Sequence, residues 1–152
     1  MKNCLGIINL SEEEMNIQEL TKVRPIAGLP FAGRYRIVDF MLSNLVNGGI
    51  NNVAIFTQNK FRSLIDHIGS GKAWDLDRKI TGIKVFNPAF NYNKIVQAHG
   101  DIEHFHQSLE YIKYASEEYV ILSRSYMICN IDIKKAFREH LKSDSDITII
   151  YK

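Results

Sequence analysis

Three arginines, Arg24, Arg34 and Arg36, are the residues best suited to hold an anion, because a guanidinium offers several fixed donors to a carboxylate or a phosphate. Ion pairing with a nearby carboxylate such as Asp39 is their plainer role, and binding of a phosphate or an effector is the alternative. Other groups carry less chemistry. Gly69-Ser70-Gly71-Lys72 has the composition of a phosphate loop, but a true one has four residues between its first glycine and its Gly-Lys pair and follows a strand. His99, His104 and His106 invite a metal. On one helix, however, positions two apart point in nearly opposite directions, so His104 and His106 cannot share an ion, and no metal site is assigned. Cys4 and Cys129 lack Cys-x-x-Cys spacing and read as buried free thiols.

These groups must be positioned by elements, and the periodicity of the apolar residues defines them. Cys4 to Leu10 is a short apolar run suited to a central strand. Ile37, Met41 and Leu45, with Phe40 alongside, recur at helical spacing, and Gly48-Gly49 stops that helix because glycine takes the left-handed C′ conformation without strain. Val53 to Phe56 is a second continuous apolar strand. Phe61, Leu64, Ile65 and Ile68 mark an amphipathic helix closed by Gly69, and Trp74 beyond it reads as a packing anchor. Ile83 to Phe86 and Tyr119 to Leu122 give two more strands, with a helix of about four turns from Ile102 to Ala115 between them. Asp132 is the natural N-cap of a helix through Ile133, Ala136, Phe137 and Leu141. Asp146 to Tyr151 has the composition of a fifth strand. Strands alternating with helices predict an α/β fold: an open, mostly parallel, Rossmann-like sheet with helices on both faces.

A length of 152 residues suits one domain with a real core, and 45% hydrophobic and 11% aromatic residues argue against disorder. The net charge of +2 supplies no basic block for a nucleic-acid backbone. No apolar run approaches the ~20 residues of a membrane span, and the first residues lead straight into a strand, so a cytoplasmic protein with no membrane or nucleic-acid partner is expected.

The run from Pro30 to Ile50, P-F-x-G-R-Y-R-I-x-D-F-x-L-S-N-x-x-N-x-G-I, resembles the nucleotidyltransferase domain of ADP-glucose pyrophosphorylase (glucose-1-phosphate adenylyltransferase). The resemblance continues through Thr57-Gln58, Ser63-Leu64, His67-Ile68 and the stretch from Gly69 to Arg78. It implies a nucleotide-diphospho-sugar transferase fold, of which residues 1–152 would be a truncated, N-terminal part. The rest of that domain and a C-terminal β-helix domain are expected beyond residue 152.

The departures from the family pattern fall where its chemistry is done. After the first strand the family has a glycine-rich loop with an arginine, whose amides and charge hold the nucleotide triphosphate. Here Asn9-Leu10-Ser11-Glu12-Glu13-Glu14 stands in its place, and three carboxylates repel a triphosphate. Read as structure alone, Ser11 and Glu14 form a capping box before a short helix. After the strand at Tyr119 the family carries an aspartate that ligates Mg²⁺, whereas this chain has Ser125, and a neutral hydroxyl cannot replace a charged ligand for a hard cation. The basic loop is shifted too, with Pro25 and Pro30 five apart where the family has three. Pro88-Ala89-Phe90 and Gly100-Asp101 depart from the elements that read adenine.

No catalytic residue is therefore expected; Glu12 and Ser125 mark the degenerate positions. The resemblance implies a regulatory, non-catalytic subunit of bacterial glycogen synthesis, acting in a hetero-oligomer with a catalytic homologue or by self-association. Such a chain would need no cofactor of its own, Mg²⁺ and ATP belonging to the catalytic partner. An active Mg²⁺-dependent adenylyltransferase, and a module sensing a phosphorylated metabolite through Arg24, Arg34 and Arg36, are the alternatives.

Overall fold

A computed structural model describes residues 3–10, 17–57, 60–87, 105–106 and 109–151. Four parallel strands form its centre: β1 (Cys4–Asn9), β4 (Asn52–Phe56), β5 (Gly82–Phe86) and β6 (Tyr119–Arg124), in the spatial order β5-β4-β1-β6. β1 and β4 are the inner strands, and every residue of both is buried, as continuous apolar runs covered on two faces should be. A separate two-stranded antiparallel pair, β2 (Pro30–Phe31) and β3 (Tyr35–Arg36), makes a small hairpin before the long helix.

The helices are α1 (Gln18–Thr21), α2 (Ile37–Asn47), α3 (Arg62–Ile68), α4 (Leu109–Tyr114) and α5 (Ile133–Ser143). One sheet face, with Cys4, Ile8, Val53 and Ile55, packs against Val38, Met41, Leu42 and Leu45 of α2, Leu64 and Ile68 of α3, and Ile133 of α5. Each such side chain taken out of water contributes about 1.5–3 kcal/mol. The other face, with Leu5, Ile7, Ala54 and Phe56, carries Phe86, Phe105 and the α4 residues Tyr111 and Ile112. Helices thus lie on both faces. α2 sits close because Gly6 is bare: a Cβ there would lie 3.1 Å from a methyl carbon of Leu45.

The stop after α2 is a Schellman motif. Ile50 N–H donates to Leu45 O and Gly49 N–H to Val46 O, with Gly49 at φ 83° as the left-handed residue. Asp132 caps α5 through Oδ1, which accepts from Lys135 N–H at 2.9 Å. Trp74 is half-buried against the core.

Two expectations change. Residues 146–151 form no strand with any described partner: Ile147, Ile149 and Tyr151 are exposed, and Thr148 shares a 2.8 Å hydrogen bond with His140 of α5. The helix expected from Ile102 is described as helical at 105–106 and 109–114; His104 lies outside the described residues, as does the segment containing His99, Pro88-Ala89-Phe90 and Gly100-Asp101.

Candidate functional site at the strand ends and the basic hairpin

In a sheet of this order the chain reverses its direction of winding between β1 and β6. The carboxyl ends of those two strands are the place where such folds bind ligands. Asn9, the last residue of β1, is in register with Arg124, the last of β6. The chain consequently leaves β1 toward Glu12 beside the point where it leaves β6 toward Ser125. Glu12 itself, with Ser11 to Glu14, lies outside the described residues. Ser125 is fully buried.

The strand ends are lined by uncharged polar side chains, and these are buried too: Asn9 and Thr57 at 1% exposure and Asn87 at 8%. They are tied to one another and to the backbone. Asn87 Nδ2 donates to Thr57 Oγ1 at 2.9 Å, and the Thr57 hydroxyl donates to the Phe86 carbonyl at 3.2 Å. On the inner face of β6, Ser123 Oγ donates to Ile7 O. Amides and hydroxyls bonded in this way stabilise the sheet end; they neither move protons at neutral pH nor neutralise phosphate charge. Among the described residues no three His, Cys, Asp or Glu side chains gather as a metal site. A buried serine where the resemblance places a metal-binding carboxylate does not fit Mg²⁺.

The basic loop lies on the same side of the sheet, because a helix that returns between parallel strands starts at their carboxyl ends. The inserted residues there form a 3₁₀ turn, Ile26–Gly28, ahead of the hairpin. The three arginines have separate fates. Arg36 is half-buried, and its guanidinium donates through Nη1 to the backbone carbonyl of Ser63 in α3. That bond corrects the expectation of an ion pair with Asp39, whose carboxylate is engaged elsewhere. Asp39 Oδ2 accepts from the backbone N–H of Arg36 at 2.9 Å, capping α2, and Oδ1 meets His67 Nε2 at 2.8 Å. Arg34 is exposed at the tip of the hairpin, after Ala32 and Gly33, which both have positive φ. Arg24 is half-exposed before Pro25. Neither Arg24 nor Arg34 pairs with a carboxylate among the described residues.

Around the tip, Phe31, Tyr35 and Phe40 form an aromatic group, with Phe31 edge-on to Phe40 at 5.2 Å. Phe40 thus belongs to the hairpin rather than to the α2 core stripe. Asn44, in the same motif, is buried and bonds across to the segment after β6. Its only sequence signal is an amide placed on an otherwise apolar helix face. The free thiols are as expected: burial pushes the Cys4 thiol up from its ordinary range, and Cys129 is half-buried.

A nucleotidyl transferase family model matches residues 16–152. The chain belongs to the nucleotidyl transferase family. Within that family it is 38% identical over 148 residues to the glycogen biosynthesis protein GlgD of Bacillus subtilis, covering 97% of this chain and 43% of the relative. It is 40% identical over 147 residues to the GlgD of Geobacillus stearothermophilus, covering 96% and 43%. The glucose-1-phosphate adenylyltransferase of Fervidobacterium nodosum is 33% identical over 149 residues, covering 98% and 36%. The chain therefore spans less than half the length of these relatives. In fold it matches the crystal structure of a protein described as a glucose-1-phosphate thymidylyltransferase of Bacillus anthracis, with a TM-score of 0.72, 15% identity, and coverage of 93% of this chain and 51% of that one. This likeness establishes the nucleotidyl transferase fold. Among the described residues no helix is long and apolar enough to cross a membrane.

Proposed function

We propose that this chain is part of a regulatory, non-catalytic subunit of a glucose-1-phosphate adenylyltransferase in bacterial glycogen synthesis, a cytoplasmic protein working in a hetero-oligomer with a catalytic homologue. The observation that carries the reading is Ser125, a fully buried neutral hydroxyl at the switch point of the sheet, where transfer of an adenylyl group needs a metal-binding carboxylate. Glu12 to Glu14, leading from the neighbouring strand, add repulsion toward a triphosphate. The similarity to two GlgD proteins at 38% and 40% identity supports the same reading. Mg²⁺ and ATP are then requirements of the catalytic partner, and this subunit adjusts its partner's rate or effector response.

The test is ADP-glucose formation by the full-length protein, alone and mixed with a catalytic homologue from the same cell. No turnover alone, with an altered rate or effector response in the mixture, is the expected result. Mg²⁺-dependent turnover by the protein alone would overturn it in favour of an active adenylyltransferase.

One observation favours a second reading, a module that senses a phosphorylated metabolite: Arg34 is exposed on a hairpin whose base is tied to α3 through Arg36, and it has no partner carboxylate among the described residues. Protection of the folded state by phosphate or sulfate, lost in Arg34→Ala, would support it. A melting temperature indifferent to both anions would count against it.

A further inference from the structure

We infer that the outer edge of β6 docks a second copy of this chain, whose own β6 pairs with it antiparallel about a twofold axis beside Ile121. The inference goes beyond the regulatory reading and does not depend on it, since it concerns two identical chains.

β6 ends the sheet: β1 lies on one side of it and, among the described residues, no strand lies on the other. Its side chains divide into two rows. Tyr119 and Ile121 turn to the face that α5 covers, where Tyr119 meets the Phe137 ring at 5.0 Å. Glu118, Val120, Leu122 and Arg124 make the other row. In register, Val120 neighbours Leu5 and Leu122 neighbours Ile7. Leu5 and Ile7 are buried at 0% and 3% exposure, yet Val120 and Leu122 stand at 51% and 53%. The cover on this sheet face stops short of β6, and two aliphatic side chains are left half in water at its edge.

That row reads acidic, aliphatic, aliphatic, basic. Turned end for end it reads basic, aliphatic, aliphatic, acidic, so it is complementary to itself, as an interface about a twofold axis requires. Directly opposite residues of an antiparallel pair share a face of the sheet. With Ile121 facing its own counterpart, Val120 lies opposite Leu122 of the second copy and Glu118 opposite Arg124 of the second copy, each contact occurring twice by symmetry. Glu118 is already set at the strand start by Asn3, whose Nδ2 donates to its Oε2 at 2.8 Å and whose Oδ1 accepts from its backbone N–H at 3.2 Å. These are neutral partners, which position the carboxylate without cancelling its charge.

The two edges of the sheet differ in what guards them. β5 carries the exposed Lys84 at its midpoint, and a twofold pairing centred there would set that lysine against itself. From Tyr119 to Ser123, β6 has neither a charge nor a proline to refuse a neighbour. Two four-stranded sheets thus join through β6 into one continuous sheet.

Sedimentation equilibrium of the 152-residue chain, from low to high micromolar concentration, should show a reversible dimer. Glu118→Arg sets like charges opposite each other at both ends of the pair and should weaken the dimer roughly tenfold, the scale of cross-strand charge contacts. Arg124→Glu should do the same. The double variant, Glu118→Arg with Arg124→Glu, exchanges the charges and should regain the dimer, which a merely structural role for either residue does not explain. Circular dichroism establishes that each variant is folded. In the full-length protein, Ile121→Cys should cross-link between chains under mild oxidation, because facing Cα atoms of such a pair lie about 4.5–5.5 Å apart. A monomeric wild-type chain, undiminished association in folded Glu118→Arg, or a double variant that stays monomeric would overturn the inference. Absence of the cross-link would overturn it too, giving the edge to other residues of its own chain or to the catalytic homologue. None of these readouts involves turnover, so their failure is distinct from failure of the mixing experiment.

Discussion

Asn44 and Cys129 are joined across 85 residues of sequence by one hydrogen bond, from the Asn44 side-chain amide to the Cys129 backbone carbonyl at 2.8 Å. The Asn44 carbonyl oxygen accepts in turn from Ile131 N–H at 3.2 Å. One buried side chain therefore satisfies a donor and an acceptor of the irregular segment between β6 and α5, and fastens that segment to α2. Replacing it with leucine, similar in size, leaves both backbone groups unmatched. Asn44→Leu should lower stability by about 1–3 kcal/mol in urea unfolding monitored by circular dichroism, the cost of stranded polar groups. An unchanged midpoint would show that water takes over both roles.

The arginines of the basic loop should separate by the same measurement. Arg36→Ala removes a charged donor from the Ser63 carbonyl and should cost about 1.5–3 kcal/mol, less whatever solvent returns to a half-buried site. Arg34→Ala removes an exposed side chain and should stay within about 0.5 kcal/mol of wild type. Equal losses in both variants would mean that Arg34 is structural after all.

Ser125→Asp, the single change that would restore a carboxylate at the end of β6, should destabilise the chain before it restores any activity. Ser125 is 0% exposed, and an added charge there costs more than the ~1–3 kcal/mol of a stranded neutral group. Thermal unfolding of the variant with and without millimolar Mg²⁺ checks this. A melting temperature that falls without metal and recovers with it would show that the site can still accept the ion.

Alkaline pH should loosen the outer sheet face. Burial first, and the charge of Glu117 second, push the Tyr111 hydroxyl up from 10.0 to about 12. In the unfolded chain it ionises near its ordinary value, so the stability tied to the neutral phenol is complete below about pH 10 and is lost as pH rises toward 12. Tyr111 also donates to Asn52 Oδ1 at 2.9 Å, a bond that ends with deprotonation. Melting temperatures from pH 9 to 11.5 should fall less steeply in Tyr111→Phe than in wild type.

Much of the fold was legible because its signals are local. The alternation of apolar runs and helical stripes gave four strands and the main helices, Gly49 ended α2 in the left-handed conformation, and Asp132 capped α5 as its position demanded. The rest depends on contacts that a local pattern does not specify. The Ile147 to Tyr151 segment has strand composition, but a strand also needs a partner strand, and none pairs with it among the described residues. Arg36 has a carboxylate three residues on, yet its guanidinium goes to the carbonyl of Ser63, and a backbone acceptor leaves no trace in sequence. At the candidate site the serine was legible as a substitution; its complete burial was not, because that depends on strands from opposite ends of the chain.

The placement of β1 at the centre of the sheet fixes the order in which the chain can acquire its shape during synthesis. This strand emerges first, yet one neighbour, β4, begins at Asn52 and the other pairs Tyr119 with Cys4. A mostly apolar segment must therefore wait, unpaired on one side, until most of these residues have been made. Pairings this distant are slow and leave sticky strands exposed in the meantime, which makes the newborn chain a natural client for chaperones.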